Sequence, residues 1–494
     1  MPWNHARSER RIREHLKTVP AFDEQITLAQ HRRVLVEARK SALMDRLPVK
    51  RAFVVEGAHL YGELLDFDTV VADRENRETE ASHTNVLRFL NMHYRIWDAI
   101  VENDDADRVD YHGTRLHSIV TDPDGDPRGQ VERAVALAAK LAEASQRLGA
   151  VYGFPARIRF GVAQGKCLAM TTGRALEKDT LFLGAPANHA AKAAAGGDEP
   201  GIFLAPTAEH LVGASAAMRT TAGTVRPTDR FVEQASTRYR FDQIDTAVAQ
   251  LSEEAVRNPE FRFHRARPPL SGIKFADLFP SNSIRMGMAS VFADIDGFTA
   301  FVDGAIGRGS EAIKKAATSI HVIREELNDV LGDDFEGKRV RFIGDCIQGV
   351  LAIGAREDEP TKTVRTAALC AAGMRSSFSL CQKLLGGIDE LDLAIGVEYG
   401  PVPLTRIGQP GKESVRCAAG RAVIVSERMQ ESIEGGGIRF GPAARAHADR
   451  TVEEHFAEAS TIVGYDAAAD LLGETVSPAV SIVREDRSAR PYLA

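Results

Sequence analysis

Four short stretches of this 494-residue chain recur in the same order in its two halves. Ala58–Thr69 resembles Ala289–Thr299 with one residue of slack, and Arg108–Thr114 matches Arg339–Asp345. Ile158–Gly165 matches Leu393–Gly400, and Gly201–Ala208 matches Gly437–Ala444. The offsets are 231, 231, 235 and 236 residues. One such match is chance; four in order at a nearly constant offset describe a domain written twice. Whatever one half folds into, the other must fold into as well.

The periodicities between the repeats define that unit. Ile313, Ala317, Ile320, Ile323, Leu327 and Val330 recur every three or four residues, as one face of a helix does. Val86, Leu90, Tyr94, Trp97 and Val101 do the same in the first half. Arg339 to Ile353 reads as two strands around a Gly-Asp turn, followed by a helix over Thr363 to Leu385 and a strand over Leu391 to Val397. Each half is therefore β-α-β-β-α-β, an α+β ferredoxin-like sandwich. The expected organisation is a helical arm (1–50), a first domain (51–220), a connection (221–284), a second domain (285–450) and an extension (451–494) whose end is polar and frayed.

Composition narrows the function. The chain is 44% hydrophobic and 27% charged with a net charge of −7, so it buries real cores and does not suit a general nucleic-acid binder. Its five cysteines (Cys167, Cys346, Cys370, Cys381, Cys417) are scattered, with no CxxC pair, as expected of a reducing cytoplasm. No signal-peptide core and no apolar run of membrane-spanning length is found, so no membrane partner is expected.

Two carboxylates carry the chemistry. Asp294 ends the apolar run Met288–Ala293, and Asp345 sits in the Gly344–Asp345 turn. In a ferredoxin-like sheet the end of the first strand neighbours the hairpin of the next two. Alone, each is an ordinary strand-end or turn aspartate. Together they can share hard divalent cations, which prefer oxygen ligands. Gly297 lets the backbone turn closely, so the N–H groups that follow, at Phe298 and Thr299, can meet phosphate oxygens. Gly196-Gly-Asp-Glu-Pro200 nearly spells the diguanylate cyclase signature, but it follows a helix end, where glycine is the usual stop. It reads as a cap and loop.

Phe292-Ala-Asp-Ile-Asp-Gly-Phe-Thr299, followed by Arg341-Phe-Ile-Gly-Asp345, resembles class III nucleotidyl cyclases, the adenylyl and guanylyl cyclase family. The resemblance implies two tandem cyclase homology domains paired head-to-tail as an intramolecular pseudo-dimer. It also implies two divalent ions (Mn²⁺ or Mg²⁺) on Asp294 and Asp345, with the Ile295 carbonyl as a third ligand. Asn188 matches the family's ribose-orienting Asn, and Lys192 replaces its transition-state Arg, four residues on and on the same helical face. The base contacts fall at Asp110 and Leu181, neither of which carries the purine pattern. The reciprocal site offers Glu63 and Thr114 for metals, and Ile424 and Arg428 for the Asn and Arg, so it is vestigial.

The Ala-Asn-His-Ala-Ala-Lys helix is most similar to the pyrimidine (uridylate or cytidylate) cyclases of bacterial Pycsar antiphage systems. That resemblance implies conversion of UTP to cyclic UMP and diphosphate, as a messenger for a cyclic-nucleotide-sensing effector in antiviral defence. Two alternatives stay open: a cytidylate or adenylate cyclase with the same site, and an inactive nucleotide-binding regulator.

Overall fold

The computed structural model describes residues 2–22, 51–71, 78–103, 106–172, 179–213, 215–220, 223–240, 244–257, 260–355, 359–456 and 464–473. Most of the expected arm (23–50) and the polar end of the chain (474–494) lie outside the described residues. The arm begins with helix α1 (His5–His15), capped by the Asn4 side chain.

The first half runs β1 (Arg51–Leu64), α2 (Glu80–Asn103), β2 (Asp107–His112), β3 (Arg115–Val120), α3 (Pro127–Tyr152), β4 (Ile158–Thr172), β5 (Asp179–Leu183), α4 (Ala185–Ala195) and β6 (Gly201–Leu204). The second repeats it: β7 (Ser283–Asp296), α5 (Phe298–Arg308), α6 (Ser310–Asp329), β8 (Lys338–Ile343), β9 (Cys346–Leu351), α7 (Pro360–Leu385), β10 (Asp392–Ile407), β11 (Val415–Ala418), α8 (Arg421–Glu431) and β12 (Gly437–Phe440). The sheet orders are β2-β3-β1-β4-β5 and β8-β9-β7-β10-β11, with β6 and β12 parallel to β4 and β10. Even the irregularities are duplicated. A bulge between Arg108 and Asp110 has its twin between Arg339 and Arg341.

The expected β-α-β-β-α-β order is present in both halves, and each half adds to it. The strand read as Leu391 to Val397 continues to Ile407 and turns back through β11, and β4 does the same through β5. Those extensions alternate poorly, because both of their faces are covered: β10 is buried at nearly every position. Gly196 closes α4 and a loop leads to Gly201, so the Gly-Gly-Asp-Glu segment is no strand hairpin.

The long hairpins cross between the halves. Leu168, Met170, Leu181 and Leu183 of the first half belong to the apolar core of the second. Ile407, Val415, Cys417 and Ala419 of the second belong to the core of the first. The arm joins the second half's core through Trp3 and Ile12, and Arg11 binds Glu326 (2.7 Å) and Asp334 (2.9 Å). Among the described residues no helix is long and apolar enough to cross a membrane.

Helices α4 and α8 lie directly on their sheets because a glycine sits beneath each. A Cβ on Gly161 would stand 2.0 Å from the Ala190 carbonyl oxygen; on Gly396, 2.0 Å from that of Ser426. Gly161→Ala is therefore expected to lower the thermal unfolding midpoint, since forced overpacking costs about 1–3 kcal/mol. Gly272→Ala, where an added methyl meets nothing within 4 Å, should leave the midpoint nearly unchanged in the same calorimetric scan. An unshifted midpoint in Gly161→Ala would contradict this packing.

Candidate active site at the seam

Register brings the two aspartates together. β7 and β9 pair as far as Ala293↔Ile347, so Asp294 lies beside Cys346 and the preceding Gly344–Asp345 turn. Gly344 (φ 59°) and Gly297 (φ 80°) both occupy the left-handed region, where a side chain is strained. Burial pushes the Asp294 carboxyl up to about 6, and the neighbouring charge of Asp296 adds to it. The Asp345 carboxyl is pushed well above the usual range, by burial first and by the Asp294 charge second. The Ile295 amide opposes both shifts.

Among the described residues, neither carboxylate has a Lys or Arg ion-pair partner, and Gln430 Nε2 approaches Asp294 Oδ2 at only 3.5 Å. Two buried carboxylates repel until a proton or a cation comes between them. An oxygen-only donor set of this kind fits a hard divalent ion. The cluster of His15, Glu326 and Asp329 is less suited, because Arg11 already neutralises it.

The first half closes over this pair. Gly184 (φ 138°) starts α4, and the N–H of Ala185 donates to Asp303 Oδ1 on α5 at 2.6 Å. One turn on, Asn188 Nδ2 donates to Thr299 Oγ1 at 2.8 Å. These two bonds hold Asn188 against the Gly297–Thr299 turn, three residues beyond Asp294. Gly297 offers no side chain to cap α5, leaving the first amides of that helix without an intrahelical partner, as an anion site requires.

The other expected residues are placed less simply. Lys192 is exposed one turn beyond Asn188, on the wall of a 530 Å³ groove that also holds Arg159 and His189. Phe298 is 1% exposed and packs on Phe301, so only its backbone is available. Leu181, also 1% exposed, is packed in the core shared by the halves and offers a ligand no side-chain surface here. The physical reason is the hairpin exchange, which drives that strand into its neighbour. Asp110 is not a lone acceptor: Arg341 of the second half binds its Oδ1. Sequence reasoning missed Arg341, although its offset from Asp110, 231 residues, matched the repeat.

The reciprocal site is built differently. Thr114 donates to Glu63, and Arg115 reaches Glu63 (3.3 Å), Glu427 (2.8 Å) and Glu431 (3.1 Å). A 590 Å³ cavity remains beside them, lined by Ile424 and Arg428 among others. Where one site has two carboxylates with no ion-pair partner among the described residues, and only the buried Arg324 guanidinium acts on Asp345 from further off, the other carries its own cation as Arg115.

No family model matches the chain. It is 39% identical, over an alignment 506 positions long, to a uridylate cyclase of a Rhizobium species, covering 94% of each protein. A uridylate cyclase of Pseudomonas aeruginosa is 34% identical, over 96% of this chain and 91% of that one. A crystal structure described as a class III adenylyl cyclase-like ATP-binding protein from Pseudomonas aeruginosa superposes with a TM-score of 0.85 at 33% identity, covering 95% of this chain and 99% of that one. Full-length identity at this level, on a duplicated fold whose seam joins a carboxylate pair to an Asn-bearing helix, means that the chain belongs to the uridylate cyclases, nucleotidyl cyclases of class III architecture.

Proposed function

We propose that the chain converts UTP to cyclic UMP and diphosphate at one site, built from Asp294 and Asp345 of the second half and Asn188 and Lys192 of the first. The observation that carries this is the contact of Asn188 with Thr299, which sets a polar group able to meet a ribose beside a carboxylate pair that needs cations. Asp294, Asp345 and the Ile295 carbonyl would hold two divalent ions, Mn²⁺ or Mg²⁺. When bound, such ions lower the pKa of a hydroxyl and neutralise phosphate charge. The substrate's 3′-oxygen attacks the α-phosphorus as its proton passes to solvent water, and the bond from the α-phosphorus to the bridging oxygen breaks, releasing diphosphate. Asn188 orients the ribose, its amide steadied by Thr299. The free amides after Gly297 receive phosphate oxygens. Lys192, a point charge on a flexible stem, meets the α-phosphate late, as charge develops. The product's reader would be a separate cyclic-nucleotide-sensing effector.

Incubation with each of the four triphosphates and Mn²⁺, with products identified by mass, tests the reading. Cyclic UMP is expected as the main product; cyclic AMP in its place would overturn the base assignment. Asp294→Asn and Asp345→Asn should each leave less than about a tenth of wild-type turnover, a barrier increase above ~1.4 kcal/mol. Circular dichroism should show an unchanged fold.

The raised carboxyls also set a pH dependence. In the metal-free protein the native state holds more protons than the unfolded state between the ordinary aspartate range and about pH 6. The pair therefore costs stability as pH rises through that window. Mn²⁺ should accordingly raise the unfolding midpoint more at about pH 7.5 than at about pH 5, where protons compete for the same oxygens. An equal Mn²⁺ effect at both values would count against the pair as its ligands.

Glu63→Gln and Thr114→Ala alter the reciprocal site and should keep turnover within about twofold of wild type. If Thr114→Ala matched the damage of Asp345→Asn, the chain would have two working sites.

A further inference from the structure

Next to Asp110 the seam carries buried polar atoms that make no hydrogen bond among the described residues. His112 lies two residues along β2, on the same face of the strand. Its side chain is 10% exposed, and both ring nitrogens are buried without a hydrogen-bond partner among the described residues. The nearer one, Nδ1, stands 3.6 Å from Asp110 Oδ2, too far to be satisfied by it. On the other side of Asp110, Arg341 spends Nη2 on Asp110 Oδ1 and Nη1 on the Tyr111 carbonyl, while its Nε is also buried and unpaired. A nearly buried imidazole and guanidinium N–H left unsatisfied are costly, and such atoms mark a place where a ligand or water belongs.

The order of these groups has a meaning. Arg341 is only a donor, the Asp110 carboxylate oxygens are acceptors, and the His112 imidazole donates from a ring N–H. Read across the seam they form donor, acceptor, donor. The Watson–Crick edge of uracil is the complement: carbonyl O2, N3–H, carbonyl O4. Cytosine reads carbonyl, bare N3, amino group, so its central lone pair would face the carboxylate and its amino group would face a donor. The cavity at the reciprocal site is lined by Gly113 and Thr114 but not by His112. Arg341 lies on β8 and Asp345 in the turn that follows it, so at ~3.3 Å per residue the two are at most ~13 Å apart, within the span from a nucleotide's base to its phosphates.

The geometry points to His112 and Arg341 as base-reading residues that, with Asp110, select uracil over cytosine. This rests on the proposed cyclase site but is separable from it. The probes are 3′-deoxy-UTP and 3′-deoxy-CTP, which cannot cyclise, titrated calorimetrically into the full chain with Mn²⁺. Wild type is expected to prefer the uracil analogue by at least about tenfold; a wild type without preference overturns the inference.

His112→Leu should bring the ratio to within about threefold of unity by weakening the uracil analogue alone. His112→Gln, which keeps a donor, should restore most of the preference. If His112→Leu weakens both analogues equally, the residue is merely structural and the inference falls. Asp110→Asn supplies an independent arm, because its amide can donate to cytosine N3: the ratio must move toward the cytosine analogue, and an unmoved ratio overturns the reader. Discrimination between the analogues without cyclic product from UTP would remove the proposed reaction and leave the reader standing.

Discussion

The exchange of hairpins between the two halves is the constraint from which the rest of the architecture follows. Each long strand, β4 and β10, runs past the edge of its own sandwich, and its returning strand buries apolar side chains in the other half. A fully buried leucine or methionine contributes about 1.5–3 kcal/mol, so Leu168, Met170, Leu181 and Leu183 alone make separation of the halves expensive. The same exchange fixes where α4 begins, because Gly184 follows directly on β5. The Asn188–Thr299 and Ala185–Asp303 bonds are consequences of that placement.

Duplication within one chain then permits what a symmetric homodimer forbids. In a twofold pair of identical chains, a residue near the axis meets its own copy, so a charge there meets a like charge. Here Asp110 and Arg341 occupy equivalent positions and bind each other across the seam. Glu78 accepts from the Arg421 N–H at the start of α8 much as Asp303 accepts from the Ala185 N–H at the start of α4, whereas Asp110 and Arg341 set a charge against its opposite. Such pairs favour first half on second half over either half on its own copy, since mismatched pairing would bury like charges.

The two sites diverged through the same freedom. A buried carboxylate pair repels until a proton or a cation comes between its members, and keeping two such pairs would double that cost. At the reciprocal site the glutamates of α8 and Glu63 surround Arg115 instead, an ion network that already holds a cation of its own. On the proposed reading, the Asp294–Asp345 site stays open to chemistry at a cost in metal-free stability. The other is a clamp.

The amino-acid sequence by itself determined the duplication, the β-α-β-β-α-β order, the helix faces and the carboxylates on the strand end and Gly-Asp turn. Those are local or periodic signals: a helix repeats its apolar face every three or four residues, and a turn needs its glycine wherever the turn is. Which half supplies Asn188 and which supplies Asp294 was also legible, since each half lacks what the other has. The tertiary structure alone decided that Leu181 is buried, that Asp110 is held by Arg341, and that Arg115 fills the reciprocal site. Each of those depends on a partner in the other half of the chain, brought in by the crossed hairpins. No periodicity records such a contact, because it is set by how two folded surfaces meet and not by the spacing of residues along either one.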